Sequence, residues 1–257
     1  MMRANYHTHT PRCHHAVGTE REYAAAAAEA GLEILGFSDH TPYYYDEPGY
    51  VSGVRMLPEE LEGYVEAVSA LRRDYAGQME IHIGVEAEYY PRNFHRTLAL
   101  LREQGVEYLL LGQHYLGNET GEPYTGAETA DEQILDRYVS QCIEGLDTGC
   151  FTYFAHPDLI NFRGDPALYA RQMRRLCRAA KERDIPLEIN LLGHITGRHY
   201  PNEAFWRIAG EEGCQAVLGC DAHQPELLRI PQSVASGENL ARRMGLELLE
   251  TVPLRHI

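Results

Sequence analysis

Two histidines near the beginning of the chain, His7 and His9, are placed so that an extended backbone sends both side chains to one side. Imidazoles converging in that way can hold one divalent cation, although a His-x-His pair on its own is as often a solvated coincidence. This pair has company. Short apolar runs further along end on other residues of metal-ligand type: Phe37-Ser38-Asp39-His40, Gly84-Val85-Glu86, Leu111-Gly112-Gln113-His114, Phe154-Ala155-His156 and Gly219-Cys220-Asp221-Ala222-His223. One such residue at the tip of almost every expected strand has no ready structural reason. Glu86 and Asp221 add hard oxygen ligands to the imidazoles, a mixture that suits Zn, Mn or Fe better than Ca or Mg. A carboxylate among so many histidines can bridge two ions, and ions ~3.5 to 4 Å apart can clamp the attacking and leaving oxygens of an in-line displacement. Water held by such ions is acidified toward pKa ~7, so the chemistry on offer is hydrolysis, above all of a phosphate ester.

Elements must carry these residues to one place. The first strand, over 2–9, leads into a polar loop and then Thr19-Glu20-Arg21-Glu22, a capping box that opens a helix running to Ala30, with Gly31 placed to end it. The alternation continues with strands over 33–38, 79–85, 107–112, 151–155, 186–190 and 215–219. Helices are expected over 58–75, 94–104, 129–148, 166–183 and 202–212, with closing helical segments from Pro225 and from Glu238. Seven short strands alternating with helices specify a parallel sheet covered by helices. An open sheet would also satisfy the alternation, but only a closed ring brings the ends of strands one, two, three, four, five and seven to one mouth.

Composition narrows the partners. Lys and Arg number 23 against 38 Asp and Glu, a net charge of −15 that repels a nucleic-acid backbone. A small substrate is expected rather than a nucleic acid polymer. The six cysteines contain no Cys-x-x-Cys pair and read as reduced, mostly buried thiols. No leader-like start and no apolar stretch of ~18 residues is visible, so no membrane association and a cytoplasmic location are expected. Residues 1–257 are read as one domain, and nothing bears on its oligomeric state. A metal-dependent amidohydrolase also carries His-x-His on its first barrel strand, often with a bridging modified lysine. The chain has a single lysine, Lys181, expected on a helix away from the mouth, which disfavours that type.

Taken in order, His7-Thr8-His9, His15 six residues on, Ser38-Asp39-His40, Gly84-Val85-Glu86-Ala87-Glu88-Tyr89, Gly112-Gln113-His114, His156-Pro157-Asp158-Leu159, Glu188-Ile189-Asn190 and Cys220-Asp221-Ala222-His223 resemble the polymerase and histidinol phosphatase (PHP) family. The likeness is nearest to its histidinol-phosphatase branch. It spans nearly the whole chain, including Arg55-Met56-Leu57-Pro58-Glu59-Glu60-Leu61. The resemblance implies an α/β fold, a distorted (β/α)7 TIM-like barrel with its active site at the C-terminal ends of the strands, and three divalent metal ions. It puts one ion on His7, His9, Glu86 and Asp221, a second on Glu86, His114 and His156, and a third on His15, His40 and His223. His15 enters only in this way, since periodicity does not separate it from His14. The activity implied is hydrolysis of a small phosphorylated substrate, L-histidinol phosphate. The rivals are a phosphoesterase of the same family acting on nucleotides, sugar phosphates or phosphotyrosine, and a metal-binding module without activity. Two departures stand out: Cys220 where relatives carry Ser, and Leu191-Leu192-Gly193-His194-Ile195-Thr196-Gly197-Arg198-His199 where the branch carries a Gly-Leu-Arg-Lys-like segment.

A phosphate pocket also needs forked cationic donors. Arg163 and Arg198 follow the fifth and sixth strands and are expected as phosphate clamps. Asp158 and His194 are candidates for protonating the leaving alcohol or orienting water. Asp39 is expected to orient His40 or the metal it holds rather than bind directly, and Glu88 to support a ligand or meet an ammonium group. His14, His82, His95 and His256 are not expected to bind metal. Tyr43-Tyr44-Tyr45, on the 17-residue loop 41–57, are expected to form a lid.

Overall fold

The computed structural model describes residues 2–257. Its elements run β1 (Ala4–Asn5), α1 (Glu20–Glu29), β2 (Ile34–His40), α2 (Leu61–Asp74), β3 (Glu80–Ala87), α3 (Phe94–Gln104), β4 (Tyr108–Leu111), α4 (Glu132–Asp147), β5 (Phe151–Phe154), α5 (Pro166–Glu182), β6 (Leu187–Asn190), α6 (Leu191–Ile195), α7 (Glu203–Glu212), β7 (Gln215–Gly219), α8 (Pro231–Met244) and β8 (Glu247–Leu249). The strands pair in parallel in strict sequence order, β1 to β8, and curl into a barrel-like sheet with helices between them.

The ring is drawn together differently at its two ends. At the C-terminal end of the strands, Thr8 bridges Ala222 in parallel, and the His9 amide donates to the Ala222 carbonyl at 3.0 Å. At the opposite end β8 pairs with Gln215, Ala216 and Val217 at the entrance of β7. The seven-strand expectation is therefore corrected to eight. The last strand is only three residues long, follows Gly245 with its φ of 71°, and is too short to show any alternation. The two closing helical segments are likewise corrected to a 3-10 turn over Pro225–Arg229 and one continuous α8.

The capping box at α1 is present: Thr19 Oγ1 accepts from the Glu22 amide at 3.3 Å, and Glu22 Oε2 accepts from the Thr19 amide at 2.6 Å. The larger core lies between the helices and the outside of the sheet. A smaller one fills the inside of the barrel with Tyr6, Tyr108, Tyr153, Leu110 and Val217. The Tyr108 hydroxyl lies 2.8 Å from the Tyr6 carbonyl and 3.0 Å from that of Phe37, so its polar end is satisfied where water is excluded. Its ring occupies the space that side chains at Gly36 and Gly84 would need. The barrel is thus plugged below and open above. No helix among the described residues is long and apolar enough to cross a membrane.

Glu107 ties α2 to the sheet, accepting from Arg72 Nη2 at 2.6 Å and from the Ile83 amide at 2.9 Å. Partial burial pushes its carboxyl up, but His82, Ile83 and Arg72 outweigh this and hold it at about 2. The folded state thus binds this proton less readily than the unfolded chain, so the contribution is full above pH ~4.5 and is lost as pH falls toward 2. Glu107→Gln is expected to flatten that part of the stability profile, read as urea midpoints between pH 2.5 and 5; an unchanged slope would show that other carboxylates carry it.

Candidate metal centre

Each expected ligand except His15, which follows a 3-10 turn over Pro11–Cys13, sits at or just beyond a strand tip. His40 and Glu86 belong to β2 and β3, while His7 and His9 follow β1, His114 follows β4, His156 follows β5, and Asp221 and His223 follow β7. His156 and Asp221 adopt positive φ values of 32° and 49°, uncommon for side-chain-bearing residues, and the strained backbone turns both side chains into the mouth.

Hydrogen bonding assigns the ring protons. His7 Nδ1 lies 2.7 Å from Glu188 Oε1, which can only accept, so the proton is on Nδ1 and the Nε2 lone pair points inward. That Nε2 faces three more acceptors: Glu86 Oε2 at 3.5 Å, Asp221 Oδ1 at 3.5 Å and His9 Nε2 at 3.2 Å. His114 Nδ1 donates to Glu88 Oε1 at 2.9 Å, leaving its Nε2 3.5 Å from Glu86 Oε1. His15 and His223 give their Nδ1 protons to the carbonyls of Cys13 and Asp221, so their Nε2 lone pairs meet head-on at 3.0 Å. Acceptors converge in this way around a cation. The buried Glu86 Oε2, His40 Nδ1 and His156 Nδ1 have no hydrogen-bond partner, which fits the same reading.

Ligand atoms within 4.8 Å of one another form the sets His7-His9-Glu86, His7-His156-Asp221, His40-Glu86-His114 and His15-His40-His223. Glu86 stands between them. Its Oε2 faces His7, His9 and His40, while Oε1 faces His114 at 3.5 Å and His156 at 2.6 Å. A further set, His9-Cys13-His223, brings in Cys13, which the sequence reading passes over as a buried thiol.

The local field sorts the groups. Burial lowers His7 and His9, but Glu188, Asp221 and Glu86 around the first, and Asp221 and Asp39 around the second, hold both well above the usual histidine range. Burial raises Glu86 and Asp221, yet the surrounding imidazoles keep both well below the carboxylate range. Burial and the neighbouring His9 push His223 down to about 3. Protons and cations therefore compete for the same lone pairs.

Residues outside the expected set support this arrangement. Glu188, fully buried, holds His7 and also accepts from the His156 amide and Asn190 Nδ2, each at 3.0 Å. Asn190 Nδ2 also reaches Asp221 Oδ2 at 3.1 Å. Glu188 and Asn190 are two apart on β6 and so share a face, a spacing that is visible in the sequence. Gly112 and Gly219 leave the space that Glu86 and Glu188 occupy; a methyl group at either would overlap a carboxylate oxygen.

Several expected roles are corrected. Asp39 meets His9 Nδ1 at 3.4 Å and the amides of Thr10 and His40, so it supports the ring of His9 rather than that of His40. Arg163 is exposed beside Glu128 and lies outside the cavity, because its loop turns back to bond Thr129. His194 sits on the exposed side of α6. Asp158 is buried away from the cavity, accepting from the Asn202 amide and Trp206 Nε1 and so holding the start of α7; burial pushes it up to about 6. Glu88 is fully engaged by Arg55 and His114 and is not free for an ammonium group. Tyr43 is buried and Tyr45 bonds Glu119, and neither they nor Tyr44 line the cavity.

Arg198 does reach the cavity, a space of ≈ 370 Å³ whose other walls include Val54, Tyr115, Tyr124, Leu192 and Tyr200. Its Nη1 donates to the Tyr200 hydroxyl at 2.7 Å, and among the described residues no carboxylate pairs with it. The cavity can therefore take a small anionic ester, with its charged end at the strand tips and its remainder against tyrosine faces.

The family profile of the PHP domain matches residues 5–191. A protein of Deinococcus radiodurans named as a probable histidinol-phosphatase is 34% identical over 233 residues, covering 85% of each chain. The histidinol-phosphatase of Bacillus subtilis is 25% identical over 254 residues, 87% of this chain and 94% of the relative. The fold is similar to the crystal structure of a histidinol phosphate phosphatase from Lactococcus lactis complexed with zinc, L-histidinol and phosphate. That match has a TM-score of 0.75 at 18% identity, over 98% of this chain and 99% of the other.

Gly219→Ala is expected to displace Glu188, release His7 from its orientation and lower bound divalent metal, measured by elemental analysis after dialysis. Full metal retention would show that Glu188 has room to move.

Proposed function

The chain belongs to the PHP domain family, and from that premise we propose that it is a metal-dependent phosphomonoesterase converting L-histidinol phosphate and water to L-histidinol and phosphate. The observation that carries the proposal is the meeting of imidazole lone pairs around the Glu86 carboxylate, at the floor of a cavity that also presents an unpaired guanidinium. The proposal assigns these donors to three divalent ions of the Zn, Mn or Fe kind. The first would lie on His7, His9, Glu86 and Asp221, the second on Glu86, His114 and His156, and the third on His15, His40 and His223. Such ions, when bound, acidify water to a nucleophile at neutral pH and neutralise charge on the phosphoryl oxygens.

The protein's own side chains set the geometry. Glu188 and Glu88 hold the outer nitrogens of His7 and His114, and Asp39 lies beside that of His9, so each inner lone pair keeps its aim. Arg198 offers its free N–H groups to the phosphoryl oxygens, where charge grows in the transition state. Tyr200 orients the guanidinium from one side. Neither Asp158 nor His194 reaches the cavity, so the leaving alkoxide takes its proton from water in the mouth. Residues 1–257 act as one domain in this reading.

A second substrate within the same chemistry is kept in view by one observation. The wall around the leaving group is made by Tyr115, Tyr124, Tyr200 and Leu192, the last two on or just after the α6 segment that departs from the histidinol-phosphatase pattern. An aromatic wall would also accept phosphotyrosine or a nucleotide base. Turnover of histidinol phosphate against phosphotyrosine and AMP decides, and activity confined to either of the latter two would overturn the first choice.

His9→Ala and Glu86→Ala are expected to reduce hydrolysis to background with an unchanged far-UV circular dichroism spectrum. Arg198→Ala should lower kcat/KM about 10- to 100-fold, the loss of a charge-assisted contact worth roughly 1.5–3 kcal/mol. Removal of metal by a chelator should abolish turnover and added Zn or Mn restore it; activity that survives complete removal would refute metal dependence.

A further inference from the structure

Loop 41–57 and the segment after β4 contain one of the most fully bonded buried clusters in the protein. Arg55 is 1% exposed, a costly place for a guanidinium unless every face is paired. Its Nη1 and Nη2 donate to Glu88 Oε2 and Oε1 at 3.1 and 3.0 Å, its Nε to Glu119 Oε2 at 2.7 Å, and Nη1 also to the Thr41 carbonyl at 3.1 Å. Glu119 gathers three hydroxyls as well: Tyr45 at 2.8 Å, Tyr50 at 2.6 Å and Ser52 Oγ at 2.6 Å. The two segments are thereby clasped together beside the cavity.

The far end of this cluster touches the metal centre. Glu88 Oε1, fixed by Arg55, accepts from His114 Nδ1 at 2.9 Å. His114 depends on that support because it lies three residues beyond the end of β4, outside the ladder, whereas Glu86 is carried within β3. With Nδ1 held, Nε2 is presented to Glu86 Oε1.

We propose that Arg55 and Glu119 are positioning residues for His114, acting through Glu88, so that the clasp between the two loops sets how tightly one of the bound cations is held. The inference rests on the metal-centre reading above. A lysine cannot replace Arg55, since a single ammonium does not reproduce a planar fork that serves two carboxylates and a carbonyl.

Titration of the full-length metal-free protein with Zn²⁺ against a chromophoric chelator tests the proposal. Arg55→Lys is expected to weaken one class of bound zinc about 10- to 100-fold while the remaining classes keep wild-type affinity. Glu119→Gln, which retains an oxygen acceptor, should weaken the same class less. Tyr50→Phe, at a ring 38% exposed, removes one hydrogen bond without threatening the fold and should weaken it least. Should Arg55→Lys fail to fold, the order of the other two variants decides. A flat series overturns the proposal, and so does an equal loss in every class, the mark of general loosening. Wild-type protein that binds no zinc overturns the metal-centre reading itself, a result distinct from either.

Discussion

A carboxylate buried among imidazoles is the constraint from which the rest of the molecule follows. Glu86 is 1% exposed, and its two oxygens face histidines brought by four other strands. No helix or hairpin could assemble that neighbourhood, because the contributors lie up to 149 residues apart between His7 and His156. A parallel ring of strands can, since it delivers many chain segments to one rim with their tips level. The missing side chains of Gly112 and Gly219 are part of the same requirement: space next to the carboxylates is as necessary as the carboxylates.

Around this inner group stands a second ring of acids. Glu188, Asp39 and Glu88 face the outer nitrogens of His7, His9 and His114, and each is anchored in turn, Glu188 by the His156 amide, Asp39 by the amides of Thr10 and His40, Glu88 by Arg55. Inner acids meet lone pairs and outer acids meet N–H groups, so each imidazole is oriented by charge on both sides. The −15 net charge of the chain is thus partly functional, with several carboxylates drawn to the centre rather than spread over the surface.

Much of this was legible in the sequence because it is periodic or terminal. Strand-helix alternation and the capping box at Thr19 are local signals, and a residue of metal-ligand type at the tip of almost every expected strand is a positional one. The eighth strand was invisible because three residues carry no pattern. Loop residues were the least legible. Arg163 and Arg198 look alike as cations following a strand, yet the backbone after β5 returns to pair with Thr129 and carries Arg163 outward, while the turn after α6 sets Arg198 beside Tyr200. Asp158 was ambiguous for a related reason: a buried acid serves a helix start and a reaction equally well until its partners, Asn202 and Trp206, are known. Glu119 gives no local hint, since its partner Arg55 lies 64 residues away.

The tyrosine plug inside the barrel has a kinetic consequence. Tyr6, Tyr108 and Tyr153 fill the interior beneath the strand tips, so there is no rear exit. Whatever enters must leave through the same opening, and in reverse order of depth. Under the proposed function, with the phosphoryl group at the strand tips and the alcohol toward Tyr115, Tyr124 and Tyr200, the alcohol would have to clear that opening before the phosphate could follow.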